Sequence, residues 1–163
     1  MKAVVYEEYC KKTEDGKPDD DFQKILQVKE IDDPKPKPDE VVFKVKAAAL
    51  NYNDLWGMRG EPVPVPLPHV SGSDAAGDVI AVGDEVSNIK VGDRVVSHSN
   101  MSCRVCEACT DGREFDCAKR TIWGFQTGPN WGAFSEITHL PEVNVAKIPD
   151  SVSYDDAAAA SMT

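Results

Sequence analysis

Four cysteines within fifteen residues constrain this chain more than any other feature: Cys103, Cys106, Cys109 and Cys117, spaced C-x2-C-x2-C-x7-C in the run CRVCEACTDGREFDC. Thiolates are the soft, charged donors that a tetrahedral zinc ion takes at about 2.3 Å, and two-residue gaps let neighbouring cysteines curl around one ion. Between them stand Arg104, Glu107, Asp111, Arg113, Glu114 and Asp116, with little apolar bulk. Such a loop cannot build a core of its own, so a metal is its natural organiser. Four sulfur donors fill the coordination sphere, and the expected role is structural, because a catalytic zinc keeps a position open. A four-iron cluster prefers a final three-residue gap followed by proline; here the last gap is seven and Ala118 follows. Disulfides and four free thiols are the other readings of the same spacing.

The chain has 163 residues, enough for one domain with a real core, or for a domain plus a fragment. Asp and Glu number 28 against 18 Lys and Arg, a net charge of −10. That balance argues against non-specific binding to nucleic acid or to anionic membranes. The N-terminus, MKAVVYEEYC, has too short an apolar run for a signal peptide, and no window approaches a membrane span. Clustered cysteines of metal-site type fit a reducing cytoplasm. Cys10, the fifth, reads as an ordinary free thiol.

Short strands are expected at 2–6 and 24–30, separated by a polar turn region at 11–21. The stretch 32–40, DDPKPKPDE, is a proline-stiffened linker. In 41–50, Val41, Phe43, Val45 and Ala47 alternate with Val42, Lys44 and Lys46, the period of a half-buried strand. Residues 51–59 suit a short helix stopped by Gly60, and Asn51-x-x-Asp54 has the form of a capping box. EPVPVPLPH, 61–69, must be extended. Valine-glycine runs from 72 to 96 indicate short strands joined by tight turns, as in a small barrel. Strands are expected again at 132–138 and 143–149, then a helix capped by Ser153 that runs to the end of the sequence.

These residues, in this order, resemble the N-terminal GroES-like domain of the medium-chain dehydrogenase/reductase family, the zinc alcohol dehydrogenases and quinone reductases. Asn51-Tyr52-Asn53-Asp54 stands at the family's Cys-x-x-Asp or Asn-x-x-Asp element, and GSDAAGDVIAVGDEVSNIKVGDRVV, 72–96, follows its glycine-valine pattern. The cysteines match its structural zinc lobe, at about 98–122, and GAFSEIT its following strand. The resemblance implies a mainly β, GroES-like, partly open barrel with short helices over 1–149, and a connection starting at 150–163 toward a Rossmann domain. NADPH would sit on that second domain; nothing in this sequence matches its Gly-rich turn. A homo-oligomer is implied for the full-length form.

The departures from the family matter as much. Its zinc-dependent members hold a catalytic zinc with a Cys, a His-Glu pair and a later residue; here those positions read Asn51 and Ser73-Asp74. Asn and Ser are poor zinc ligands, so no catalytic zinc is expected. His69 reads as a packed or surface residue rather than a replacement ligand. The zinc-free relatives reduce quinones, enones and enoyl thioesters. Within them the chain resembles crotonyl-CoA carboxylase/reductases and archaeal acyl-CoA reductases through Asn51-Tyr52-Asn53, His69 to Asp74 and Ile122-Trp123-Gly124-Phe125. Gln126 replaces the Glu expected of a carboxylating member, which favours a plain enoyl-CoA or acryloyl-CoA reductase. The expected catalytic residues are Asn51, orienting the nicotinamide or the substrate carbonyl, and Tyr52, donating to the thioester. Asp54, Trp56, Phe125 and Gln126 are expected at the substrate pocket. Two other readings stay open: an alcohol dehydrogenase with altered metal ligands, and a non-catalytic zinc module serving in assembly.

Overall fold

The structure is a computed structural model and describes residues 1–162. In chain order its elements are β1 (Lys2–Val5), β2 (Gln27–Glu30), β3 (Glu40–Ala49), α1 (Tyr52–Arg59), β4 (Asp74–Val82), β5 (Arg94–Ser97), β6 (Asn100–Met101), α2 (Glu107–Thr110), β7 (Thr121–Ile122), β8 (Ile137–Pro141), β9 (Val145–Lys147) and α3 (Tyr154–Ala159), with three short 3-10 turns between them. The main sheet has five strands in the order β8-β3-β4-β5-β9, and every pairing in it is antiparallel. β1 and β2 form a separate ribbon, and β6 and β7 a two-stranded base for the cysteine loop. The mainly β, partly open GroES-like fold expected from the sequence is the one observed.

The core lies on one face of the curled sheet. Val41, Phe43, Ala75, Val79, Val95, Trp123, Ala133 and Leu140 form its centre. A second cluster, Tyr6, Ile25, Met58, Val65 and Phe125, supports α1. A third packs α3 onto the sheet through small side chains, Ala157 and Ala158 against Ala76 and Ile148.

Three local expectations need correction. The strict alternation along β3 fails at its start, where Val41, Val42 and Phe43 are all buried. The cause is a pair of register shifts, between Val42 and Phe43 and between Val45 and Ala47, which bend the strand. The strand expected at 132–138 begins only at Ile137. Before it, the backbone is shared among several partners: Val4 N donates to Phe134 O, Phe134 N to Ser71 O and Ala133 N to Gly72 O. That segment is a cross-tie, which a two-residue period cannot announce. α3 starts as expected, with Asp156 N donating to Ser153 Oγ at 3.0 Å, but it ends at Ala159 with Ala160 as its C-cap.

One glycine fixes the approach of the cysteine lobe to the sheet. Gly124 has φ +72°, and a Cβ there would lie 1.8 Å from Gly72 O. Neither the left-handed backbone nor the contact tolerates a side chain. Gly124→Ala is expected to lower stability by at least about 2 kcal/mol, combining strain at positive φ with backbone displacement. Urea unfolding of the two proteins measures it; an unchanged midpoint would show that the close approach is not required.

Candidate functional site

The site is built at the start of α1. Asn51 is its N-cap, in an extended conformation (φ −126°, ψ 161°), and Gly60 closes the helix in the left-handed region. The first-turn side chains each reach the same short segment. Asp54 Oδ1 accepts from Gly72 N at 3.0 Å, Asn53 Nδ2 donates to Ser73 Oγ at 2.8 Å, and Asn51 Nδ2 donates to Asp74 Oδ2 at 2.7 Å. Asp54 Oδ2 also accepts from Asn51 N at 2.8 Å, one arm of the expected capping box. Gly72, Ser73 and Asp74 are thus pinned one after another to the helix.

These carboxyls are electrostatically stressed. Burial pushes Asp54 up to about 6; the two backbone N–H groups oppose that rise and the Asp74 charge adds to it. Burial likewise raises Asp74, against the pull of Asn51 and Ser161. Two buried acceptors, Asn53 Oδ1 and Asp74 Oδ1, have no hydrogen-bond partner among the described residues.

The other face of α1 is aromatic. Tyr52 is 59 % exposed, which excludes a core role, and it meets Trp56 edge-on with ring centroids 5.4 Å apart. Trp56 in turn lies 6.4 Å from Phe125. Arg59 donates to Tyr52 Oη at 3.3 Å and holds Asp20 with two bonds of 2.8 and 2.7 Å, tying the 11–21 loop to this face. Phe125 is buried under α1. Gln126 points elsewhere: its Oε1 accepts from Ile122 N at 2.9 Å and closes the turn after β7. Asn51, Tyr52, Leu55 and Met58 also line an apolar cavity of about 560 Å³ with Tyr6 and Leu26. The structure therefore brings Asn51, Tyr52, Asp54, Trp56 and Phe125 to one helix and its support, and leaves Gln126 in a backbone-bracing position.

His69 is fully buried, its ring tilted against that of Tyr6, with its ring nitrogens 3.1 Å from Pro66 O and from Gly124 O. It is a packing residue, as its sequence context indicates. Ser161 is an addition; Asn53 and Asp74 stand in the motifs quoted from the sequence but carry no expected role there. Their residue types were visible, but nothing local says that they meet.

The four cysteine sulfurs converge: all lie within 4.8 Å of one another. The separations Cys106–Cys109, Cys103–Cys117 and Cys103–Cys109 are 3.5, 3.6 and 3.9 Å. Tetrahedral bonds of 2.3 Å place sulfurs about 3.8 Å apart, so the cage fits a zinc ion. Cys103 N donates to Cys117 Sγ at 3.5 Å. Ion pairs Arg104–Glu114 and Arg113–Asp116 brace the loop from outside. Among the described residues this is the one convergent group of three or more His, Cys, Asp or Glu ligand atoms.

Residues 37–150 match the model of the alcohol dehydrogenase GroES-like domain. Crotonyl-CoA carboxylase/reductase of Cereibacter sphaeroides is 35 % identical over 154 residues, 91 % of this chain and 34 % of that protein. An alcohol dehydrogenase of Geobacillus stearothermophilus is 34 % identical over 160 residues, 97 % of this chain and 43 % of that protein. A solved NAD-dependent alcohol dehydrogenase superposes with a TM-score of 0.85 at 37 % identity, covering 98 % of this chain and 43 % of that one. The chain spans between 34 and 43 % of the length of these curated relatives. Fold, cysteine lobe and sequence agree: the chain belongs to the alcohol dehydrogenase GroES-like domain family, within the medium-chain dehydrogenases/reductases.

Proposed function

We propose that this chain is the substrate-side domain of an NADPH-dependent reductase that acts on an activated C=C bond, of enoyl-CoA, acryloyl-CoA or quinone type, without a catalytic zinc. The observation that carries this reading is the bonding at the positions where zinc-dependent relatives place metal ligands. Asn51 and Asp74 are bonded to each other at 2.7 Å, and Ser73 is taken by Asn53 at 2.8 Å. An amide and a carboxyl bonded to each other, and a hydroxyl bonded to Asn53, form a poor zinc donor set. The same groups suit a reaction in which negative charge develops on a carbonyl oxygen and hydrogen-bond donors, rather than a Lewis acid, stabilise it.

A reduced nicotinamide, when bound on a cofactor domain, supplies the hydride for the β-carbon of the conjugated carbonyl. The part of this chain is to bind and orient that carbonyl. Asn51 and Tyr52 are the donors available at the rim, Asp54 fixes the helix that carries them, and Trp56 with Phe125 forms an apolar wall. Cys103, Cys106, Cys109 and Cys117 would hold one structural zinc, which ties four points of the lobe together. The test is NADPH oxidation by the full-length protein with crotonyl-CoA, acryloyl-CoA and a benzoquinone, alongside metal analysis. Turnover with one of these acceptors and one zinc per chain is the expected result. A second tightly bound zinc with oxidation of simple alcohols would replace this reading by the alcohol dehydrogenase one.

A further inference from the structure

The apolar cavity beside α1 has a wall sorted by chemistry. Its volume of about 560 Å³ lies inside the usual range of small-molecule sites, about 300–1,000 Å³. Val4 and Tyr6 line it from β1 and the residue after it, Leu55 and Met58 from α1, and Leu26 and Phe134 complete the hydrocarbon surface. The polar groups in its depth are committed to the protein itself. Tyr6 and Ser71 are buried, with their hydroxyls 3.4 Å apart. Gly57 makes room for that pair: a Cβ there would stand 2.7 Å from Tyr6 Oη, so α1 carries a glycine despite its poor helix propensity. Asp54 uses both carboxyl oxygens on Asn51 N and Gly72 N. The donors with capacity left stand at the open end, which Leu50, 83 % exposed, marks. Tyr52 Oη accepts from Arg59 and keeps its own hydrogen, and Asn51 Nδ2 keeps a second hydrogen beside the one given to Asp74.

We propose that this cavity takes the alkyl tail of the substrate, and that the substrate is a straight-chain enoyl thioester longer than crotonyl, with its carbonyl at Asn51 and Tyr52 and its tail along Tyr6, Leu26, Leu55 and Met58. The place of the carbonyl rests on the reductase reading above; the hydrocarbon character of the cavity rests on its wall. Donors at the mouth and hydrocarbon within match an amphiphile with a carbonyl head. Asn51 and Tyr52 belong to the cavity lining as well as to the rim, so a carbonyl held there has its tail at the opening. A benzoquinone or an acryloyl group has no tail to place. Each methylene that moves from water to such a wall strengthens binding about fourfold, so the cavity separates substrates by length. Leu26 precedes β2 and lies outside α1, so its side chain can be changed while the helix sequence that carries Asn51 and Tyr52 is kept.

The test is NADPH oxidation by the full-length protein with trans-2-enoyl-CoAs of four, eight and twelve carbons. From four to eight carbons kcat/KM should rise by at least about twentyfold. Leu26→Trp, which fills the cavity, should reduce that ratio to about threefold or less, and Leu26→Ala should move the optimum toward twelve carbons. A methyl NMR titration of this chain with octan-1-ol reads the cavity without turnover. Saturable shifts of the Val4, Leu26, Leu55 and Met58 methyls are expected, and Leu26→Trp should abolish them at the other three. A chain-length series that is flat in the wild type overturns the proposal, as does octanol that leaves these methyls unmoved. Methyl shifts that follow protein concentration instead of octanol give the surface to a second copy of the chain and overturn it as well. If octanol binds as expected but the full-length protein reduces no enoyl thioester of any length, the reductase reading fails, and with it the substrate assignment, while the hydrocarbon site stands.

Discussion

Stripping the metal from the cysteine lobe is expected to unfold residues 98–122 while the five-stranded sheet survives. The lobe has almost nothing else to hold it. Only Cys109 and Cys117 are buried within its loop, whereas Val105 and Phe115 are 81 % and 63 % exposed. Its ion pairs lie at the surface, where each contributes at most about 1 kcal/mol. A structural zinc bound by four thiolates contributes on the order of 10 kcal/mol, far more than this loop could recover by packing. The boundary of the damage is set by Trp123, fully buried in the main core and hydrogen-bonded through its backbone N to Ser99 O. Hydrogen exchange after chelation should show amides from Cys103 to Arg120 losing protection and those of β3 and β4 keeping theirs. Cys109→Ser should reproduce the pattern and abolish stoichiometric zinc. A chelated protein with an intact, protected lobe would mean that the cysteines do not depend on a metal. Loss of protection throughout the sheet would mean that the lobe is not a separable unit.

The cysteine cage was legible because its information is local: spacing alone brings the four sulfurs together, and the intervening charges exclude a packed alternative. The α1 boundaries were legible for the same reason, from Asn51, Asp54 and Gly60. What could not be read is everything that depends on two distant segments meeting. The bend in β3 comes from register shifts against β4, so the alternation of Val41, Val42 and Phe43 misstates their burial. The Gly132–Glu136 stretch has strand composition yet divides its backbone bonds between β1 and the Ser71–Gly72 segment. The pairings of Asn51 with Asp74 and of Asn53 with Ser73 join positions 23 and 20 residues apart. Sequence placed Asn51 and Asp74 separately, each as a departure from a metal-ligand pattern; their direct bond emerges only when the helix is laid against β4. Gln126 shows the reverse case. A residue adjacent to Phe125 was expected beside it at the pocket, but a turn rotates it onto the Ile122 backbone.

Asp54→Ala should be the most damaging single substitution at the candidate site, and its cost should depend on pH. The carboxyl accepts from two buried backbone groups, Asn51 N and Gly72 N, which lose their partners together. Each orphaned donor costs about 1–3 kcal/mol, so a loss of about 2–6 kcal/mol is expected where Asp54 is most favourable. Its folded pKa is raised, to about 6, by burial. The folded state therefore holds a proton that the unfolded chain, titrating near 4, has already released. The stabilising contribution is complete below the unfolded value and declines as pH rises through the folded one. That shift of about two units corresponds to about 3 kcal/mol. Urea unfolding of wild type and Asp54→Ala at pH 4 and pH 7.5 should thus give the larger difference at pH 4. Asp54→Asn separates the two effects: it keeps one acceptor oxygen, so it should destabilise less than Ala, and it cannot ionise. Relative to this variant, the wild type should lose stability between pH 4 and 7.5, the direction opposite to that of Glu142, whose carboxylate is held below its ordinary value by the Asn88, Ser87 and Ile89 N–H groups. A stability difference between wild type and Asp54→Asn that does not change over that range would place Asp54 in its ordinary ionised state, and the strain assigned to the start of α1 would have to be withdrawn.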